Sequence, residues 1–276
     1  MIRRITLIEP QNQRLHIFSQ FLLPRLGSIL LATIMRDRGY KARSLFLSNQ
    51  EVLARNIDTD LVGISTITTT APAAYELGDH FRRQGIPVVF GGSHVSFLPE
   101  EAIEHGDFCI VGEGETAFPL LAEALSGKIP LAEVPGLVWK QSGIVHRNPP
   151  AVPIDDLDSL PFPDLSLLDM GQNRKMGLQG AGLPTVPVQI SRGCPYACTF
   201  CSITSMFGHR YRYRSVSNIL AELAHYDPQK CMIFFYDDNF AANSRRTKEL
   251  LREMIRLRLG FEWSTQVRGD IAKDPE

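Results

Sequence analysis

The run Val186-Pro187-Val188-Gln189-Ile190 leads through Ser191-Arg192-Gly193 into Cys194-Pro195-Tyr196-Ala197-Cys198-Thr199-Phe200-Cys201. This stretch decides how the chain is read. An apolar run of strand character delivers three cysteines at C-x3-C-x2-C spacing onto one short loop. Three thiolates can hold three irons of a cubane cluster and leave the fourth iron without a protein ligand. Ligation by four cysteines makes an electron carrier instead. An open iron is a place for a small molecule.

Two other readings of the cysteines compete. A disulfide framework is disfavoured, because three clustered cysteines cannot pair evenly and nothing in the sequence looks secreted. Zinc is the stronger rival, with Cys194, Cys198, Cys201 and His209 as a Cys3His set, but paired C-x2-C knuckles are missing. Cys109 and Cys231 lie inside apolar runs, Phe108-Cys109-Ile110-Val111 and Cys231-Met232-Ile233-Phe234, and read as small core hydrophobes.

Working outward, the 276 residues are 44% hydrophobic and 21% charged with a net charge of -1. These are ordinary globular values, and they give no overall case for nucleic acid or an anionic membrane. No run is long enough to span a bilayer. The N-terminus lacks the apolar core and cleavage site of a signal peptide. The chain is therefore expected in the cytoplasm, where thiols stay reduced.

The first half alternates strand and helix signals. Strands are expected at Ile5–Ile8, Lys41–Leu47, Leu61–Ser65, Pro87–Phe90 and Phe108–Val111, with helices between them marked by i, i+3, i+4 apolar spacing. Such alternation implies an α/β fold with a parallel sheet covered on both faces, here of flavodoxin-like order. Ligands of these sheets bind beyond the carboxyl ends of the strands. Ser65-Thr66, Gly91-Gly92-Ser93-His94 and Gly112-Glu113-Gly114-Glu115 stand there. A hairpin follows at Leu137–Arg147 with a Gln141-Ser142-Gly143 turn. A stretch rich in proline and aspartate then reads as an extended linker with solvated charge. Arg210-Tyr211-Arg212-Tyr213-Arg214 reads as a solvated loop or strand face rather than a contact for an anionic substrate, the partner domain or a phosphate backbone.

The cysteine loop resembles the cluster loop of radical S-adenosylmethionine enzymes. Pro24-Arg25-Leu26-Gly27, Gly91-Gly92-Ser93-His94, Pro99-Glu100-Glu101 and Gly112-Glu113-Gly114-Glu115 resemble the Rossmann-like cobalamin-binding domain found on one large group of them. The resemblance implies three parts: a cobalamin-binding domain with its hairpin over residues 1–147, a proline-rich linker over 148–183, and the opening of a radical S-adenosylmethionine partial (β/α) barrel over 184–276. It implies a 4Fe–4S cluster on Cys194, Cys198 and Cys201. S-adenosylmethionine is expected near Phe200, Asp237, Asp238, Asn239 and Arg268, and cobalamin near Ser65, Thr66, Gly91, Gly92, His94, Gly112, Glu113 and Gly114. The pattern departs in one place: there is no Asp-x-His-x-x-Gly, so the lower axial ligand of cobalt is unassigned.

The implied activity is reductive cleavage of S-adenosylmethionine, hydrogen abstraction by a 5′-deoxyadenosyl radical and methyl transfer from cobalamin to an unactivated carbon. A cyclase of the tetrapyrrole ring-forming type is the alternative. A non-catalytic cobalamin carrier with a structural metal and a zinc-bound nucleic-acid module are readings of other classes. The implied partners are a small-molecule substrate and a reductant such as flavodoxin or ferredoxin, with no nucleic acid. The chain supplies two βα units and a third strand of the barrel, which reads as an incomplete barrel.

Overall fold

Strands buried on both faces must be apolar at successive positions, and Leu61-Val62-Gly63-Ile64 is buried throughout. The computed structural model describes residues 2–11, 21–180 and 182–274. In chain order its elements begin β1 (Arg4–Ile8), β2 (Phe21–Leu22), α1 (Leu26–Asp37), β3 (Lys41–Leu45), α2 (Asn49–Leu53), β4 (Leu61–Ser65), α3 (Ala71–Arg83) and β5 (Val88–Gly91). Next come α4 (Ser93–Phe97), α5 (Pro99–Ala102), β6 (Phe108–Ile110), α6 (Gly114–Leu125), β7 (Leu137–Gln141), β8 (Ile144–Arg147) and β9 (Leu168–Asp169).

The chain forms two compact units. The first comprises Met1–Ser19, Pro24–Pro153 and Pro161–Arg174, and the second Gln20–Leu23, Ile154–Leu160 and Lys175–Glu276. The first unit is built on a sheet of order β8-β7-β6-β5-β4-β1-β3-β9. Its central order β3-β1-β4-β5-β6 is parallel and flavodoxin-like, as expected. Alternation divides the core between the two faces. Val62, Ile64, Val88 and Phe90 pack with Leu77 and Phe81 of α3. Leu61 and Val89 pack with Met35 of α1 and with Phe118 and Leu121 of α6. Gly63 is needed where α6 approaches closely, because a Cβ there would lie 2.7 Å from Leu7 and 3.0 Å from Phe118.

The hairpin β7–β8 adds two antiparallel strands at the β6 edge. The proline-rich stretch is less free than a linker. Its β9 pairs with β3 at Ser44↔Leu168 and Leu45↔Asp169, and the Asp164 N–H donates to Thr33 Oγ1 at 2.9 Å. Residues 154–160 lie with the second unit, where Asp158 accepts the Ser215 N–H at 2.8 Å and Asp155 pairs with Arg210 at 3.0 Å.

The second unit carries β10 (Gly177–Leu178), β11 (Thr185–Val188), β12 (Ser191–Arg192), α7 (Ile203–Phe207), β13 (Arg212–Tyr213), α8 (Val216–Leu223), β14 (Met232–Phe235), α9 (Ser244–Arg256) and β15 (Trp263–Thr265). Strands β11, β14 and β15 form a parallel sheet in that order, and β10 pairs with β2. Side chains of Phe235, Phe240 and Trp263 pack with ring centroids 5.0–5.6 Å apart and pin the end of β14 against β15. No helix among the described residues is long and apolar enough to cross a membrane.

Candidate functional site

In the first unit the loop after β4 begins with Thr66, and the loops that leave the carboxyl ends of β5 and β6 bear Gly92 and Gly112. The strand order reverses between β1 and β4, the place where a crevice forms in such sheets. A pair missed by sequence reasoning stands at that point. Buried Glu9, just beyond β1, accepts the Arg25 N–H at 2.8 Å and faces its guanidinium at 3.3 Å. Arg25 also donates to the Ser65 carbonyl at 3.1 Å. Burial pushes the Glu9 carboxyl up, and Arg25 opposes that shift. An acid and a base separated by 16 residues, across a loop, leave no local spacing signal.

Thr66 is fully buried, and its hydroxyl has no hydrogen-bond partner among the described residues. Such an orphan donor costs free energy until something accepts from it. Gly92, at φ 93°, lies against it: a Cβ would come within 2.6 Å of the Thr66 carbonyl. Gly112, at φ 87°, has open space where its Cβ would stand. This is a backbone-lined ledge carrying one unsatisfied hydroxyl, which fits a large ligand lying across the strand ends. Glu113 precedes α6, which Gly114 opens.

His94 is 5% exposed and fully engaged. The Tyr75 hydroxyl donates to Glu101 at 3.0 Å, so it accepts from His94 Nε2–H at 2.9 Å. That leaves Nδ1 to accept from Thr68 at 3.2 Å. His94 therefore braces the loop from behind. A groove of about 870 Å³ opens elsewhere, at the amino ends of β5 and β6. Its Arg82 and Lys140 are already paired with Asp107 and Glu104.

In the second unit, β12 and β13 pair antiparallel, Ser191 with Tyr213 and Arg192 with Arg212, and so close the cysteine loop at its neck. Gly193 permits this. Its φ is 86°, and a Cβ would lie 2.5 Å from the Arg210 carbonyl. The glycine directly before the first cysteine was the available signal. Cys194, Cys198 and Cys201 are unpaired and half-buried. The Cys194 N–H donates to the Gly208 carbonyl at 3.4 Å and the Cys201 N–H to the Cys198 carbonyl at 3.1 Å.

Among the described residues, no three His, Cys, Asp or Glu side chains converge as a single-ion site. Three free, part-exposed thiols on one loop match the donor set of a cluster in which each thiolate takes its own iron. Phe200 is 91% exposed beside them.

The Asp237–Asn239 turn divides its residues. Buried Phe240 sets the direction of the chain. Asp237 turns inward and accepts from the Ser191 hydroxyl and, at 3.3 Å, from the Ile190 N–H. Burial pushes its carboxyl up to about 7, although these hydrogen bonds oppose the shift. Asn239 is buried, and its carbonyl accepts from the Tyr211 hydroxyl at 2.5 Å. Asp238 is the exposed member.

Beyond exposed Arg210, the basic-aromatic run is structural rather than solvated. Arg212 and Arg214 are buried, and Arg214 pairs with buried Glu222 and donates to the Gln189 carbonyl at 2.9 Å. A buried arginine needs such partners. Arg268 follows β15 and reaches the cysteine loop. Its guanidinium lies 3.9 Å over the Tyr196 ring, with Nη1 3.7 Å from Cys198 Sγ.

Comparison with known proteins agrees with both halves. The B12 binding domain model matches residues 19–122, and the Radical SAM superfamily model matches residues 188–271. An uncharacterized methyltransferase of Pyrococcus horikoshii is 32% identical over 258 residues, covering 89% of this chain and 55% of the relative. The hopanoid C-3 methylase of Methylococcus capsulatus is 28% identical over 262 residues, covering 90% and 49%. The chain thus spans about half the length of these curated relatives. The fold is similar to that of OxsB, a cobalamin-dependent S-adenosylmethionine radical enzyme solved with aqua-cobalamin and S-adenosylmethionine bound. There the TM-score is 0.74 at 19% identity, covering 99% of this chain and 40% of that one.

Proposed function

The chain belongs to the radical S-adenosylmethionine proteins that carry an N-terminal B12-binding domain, and on that premise we propose that it serves cobalamin-dependent methylation of an unactivated carbon. The observation that carries the reading is the loop of three unpaired, half-exposed cysteines held at its neck by Gly193 and the β12–β13 ladder. When bound, the 4Fe–4S cluster supplies the electron for reductive cleavage of S-adenosylmethionine and cobalamin supplies the methyl group.

The chain's own residues do the placing. Cys194, Cys198 and Cys201 would hold three irons of the cluster. Phe200 offers an exposed aromatic face to the adenosyl side, and Asp238 an exposed carboxylate to the cationic amino group. Asp237 and Asn239 fix the turn that presents Asp238. In the first unit Ser65, Thr66, Gly91, Gly92, Gly112, Glu113 and Gly114 would form the ledge for the corrin, with the Thr66 hydroxyl as the donor it could engage and His94 bracing Thr68. The substrate is a small molecule, a flavodoxin or ferredoxin is the reductant, nucleic acid is not a partner, and the cytoplasm keeps the thiols reduced. Hopanoid-like lipids, tetrapyrroles and antibiotic intermediates are the acceptor classes to try.

The test uses anaerobically reconstituted, reduced protein. Wild type should form 5′-deoxyadenosine from S-adenosylmethionine, and Cys198→Ala should form none; equal yields overturn the cluster assignment. Label from the S-adenosylmethionine methyl group should appear in the acceptor. Ring closure without label would identify a cyclase instead.

A further inference from the structure

Of the exposed cations near the cysteine loop, Arg268 touches it at two points. Its guanidinium lies flat over the ring of Tyr196, which stands between Cys194 and Cys198, at 3.9 Å from the ring centroid. Its Nη1 donates toward Cys198 Sγ at 3.7 Å. Asp270, two residues on, faces Nε at 3.5 Å and holds the other edge of the group. A stacked plane with one edge on a carboxylate is turned so that a remaining N–H meets sulfur. The contact joins the end of β15 to a loop seventy residues earlier, so sequence spacing gives no sign of it.

We infer that Arg268 tunes the cluster by donating a charge-assisted hydrogen bond to the Cys198 sulfur, which raises the cluster's reduction potential. This rests on the reading that the loop holds a cluster. A cluster gains one negative charge on reduction, and its thiolate sulfurs share it. A fixed cation with an N–H on one of those sulfurs stabilises the reduced form more than the oxidised form. Hydrogen bonds to sulfur and local charge are among the main determinants of such potentials. Tyr196 serves as the platform that keeps the guanidinium in register with the sulfur.

The test is an electron-paramagnetic-resonance redox titration of the reconstituted chain without S-adenosylmethionine, with iron counted on each sample. Arg268→Met keeps length and loses the charge and the donor. It should retain the wild-type iron content and shift the reduction equilibrium about tenfold toward the oxidised cluster, which is 59 mV for one electron. Arg268→Lys, which keeps charge but not the planar fork, and Tyr196→Leu should each shift it in the same direction by less. Full iron with an unchanged potential in Arg268→Met overturns the inference alone. If that variant loses iron, Arg268→Lys decides: a downward shift supports the inference and no shift overturns it. Wild type that binds no iron overturns the cluster reading, and the inference with it.

Discussion

The two units present their sites in opposite ways. In the first, the strand ends offer backbone and glycine, and the one buried hydroxyl there, on Thr66, is left without a partner among the described residues. In the second, the polar groups around the cysteine loop are already engaged: Asp237 with Ser191 and Ile190, Tyr211 with Asn239, and Arg214 with Glu222. The first candidate site thus leaves an internal hydroxyl unmatched. The other is a finished internal scaffold that holds a loop and a turn in place. Substitutions in the second unit should therefore cost stability first, and those in the first should cost binding first.

The strongest test of that contrast is Gly193→Ala. A side chain would force both a positive φ and a clash with the Arg210 carbonyl. The loss should be about 3 kcal/mol in urea unfolding of the apoprotein, with iron retention falling alongside. A silent variant would mean the neck of the loop adapts freely, and the contrast would fail.

Asp237→Asn comes next. The folded carboxyl titrates at about 7 because it is buried, whereas an unfolded aspartate titrates at about 3.9. The folded state thus binds the extra proton in that window, so wild-type stability falls as pH rises from about 4 to about 7. Below the window the acid is neutral in both states and the penalty is absent. The asparagine variant should lack this component, so the difference between the two unfolding curves should grow across the window and level off above it. A pH-independent difference would show that Asp237 is not buried as an acid.

The smallest effect is the sharpest in sign. Thr66→Val removes an orphan hydroxyl at nearly constant shape. The apoprotein should gain about 1 kcal/mol in stability, while cobalamin binding, read by corrin absorbance after equilibrium dialysis, should weaken about tenfold. Loss of stability would mean that Thr66 has a structural partner, and the first site would then resemble the second.

Much of this was legible in the sequence. Short apolar runs ending in Ser65-Thr66, Gly91-Gly92 and Gly112 marked the parallel sheet and the strand ends that carry the candidate site, because burial on both faces forces continuous apolar strands. The cysteine spacing likewise marked the second site. What was hidden depends on tertiary direction. Whether Asp237 or Asp238 faces solvent is decided by the burial of Phe240 against Phe235 and Trp263. The arginine run looked solvated because its partners, Glu222 and the Gln189 carbonyl, come from other elements. The two-residue β9 carries too little pattern to separate it from linker. Helix α2 did have a signal: Ser48 and Glu51 form a reciprocal capping box.

On the proposed function, one chain holds an open-iron cluster and a corrin, each in its own unit. Iron, zinc and cobalamin should be quantified together on a single anaerobically reconstituted and desalted sample, with the spectrum recorded before and after S-adenosylmethionine. About four irons and about one corrin per chain are expected, with little zinc and a brown absorption that S-adenosylmethionine perturbs. Zinc in place of iron, or a sample without corrin after incubation with excess cobalamin, would contradict it.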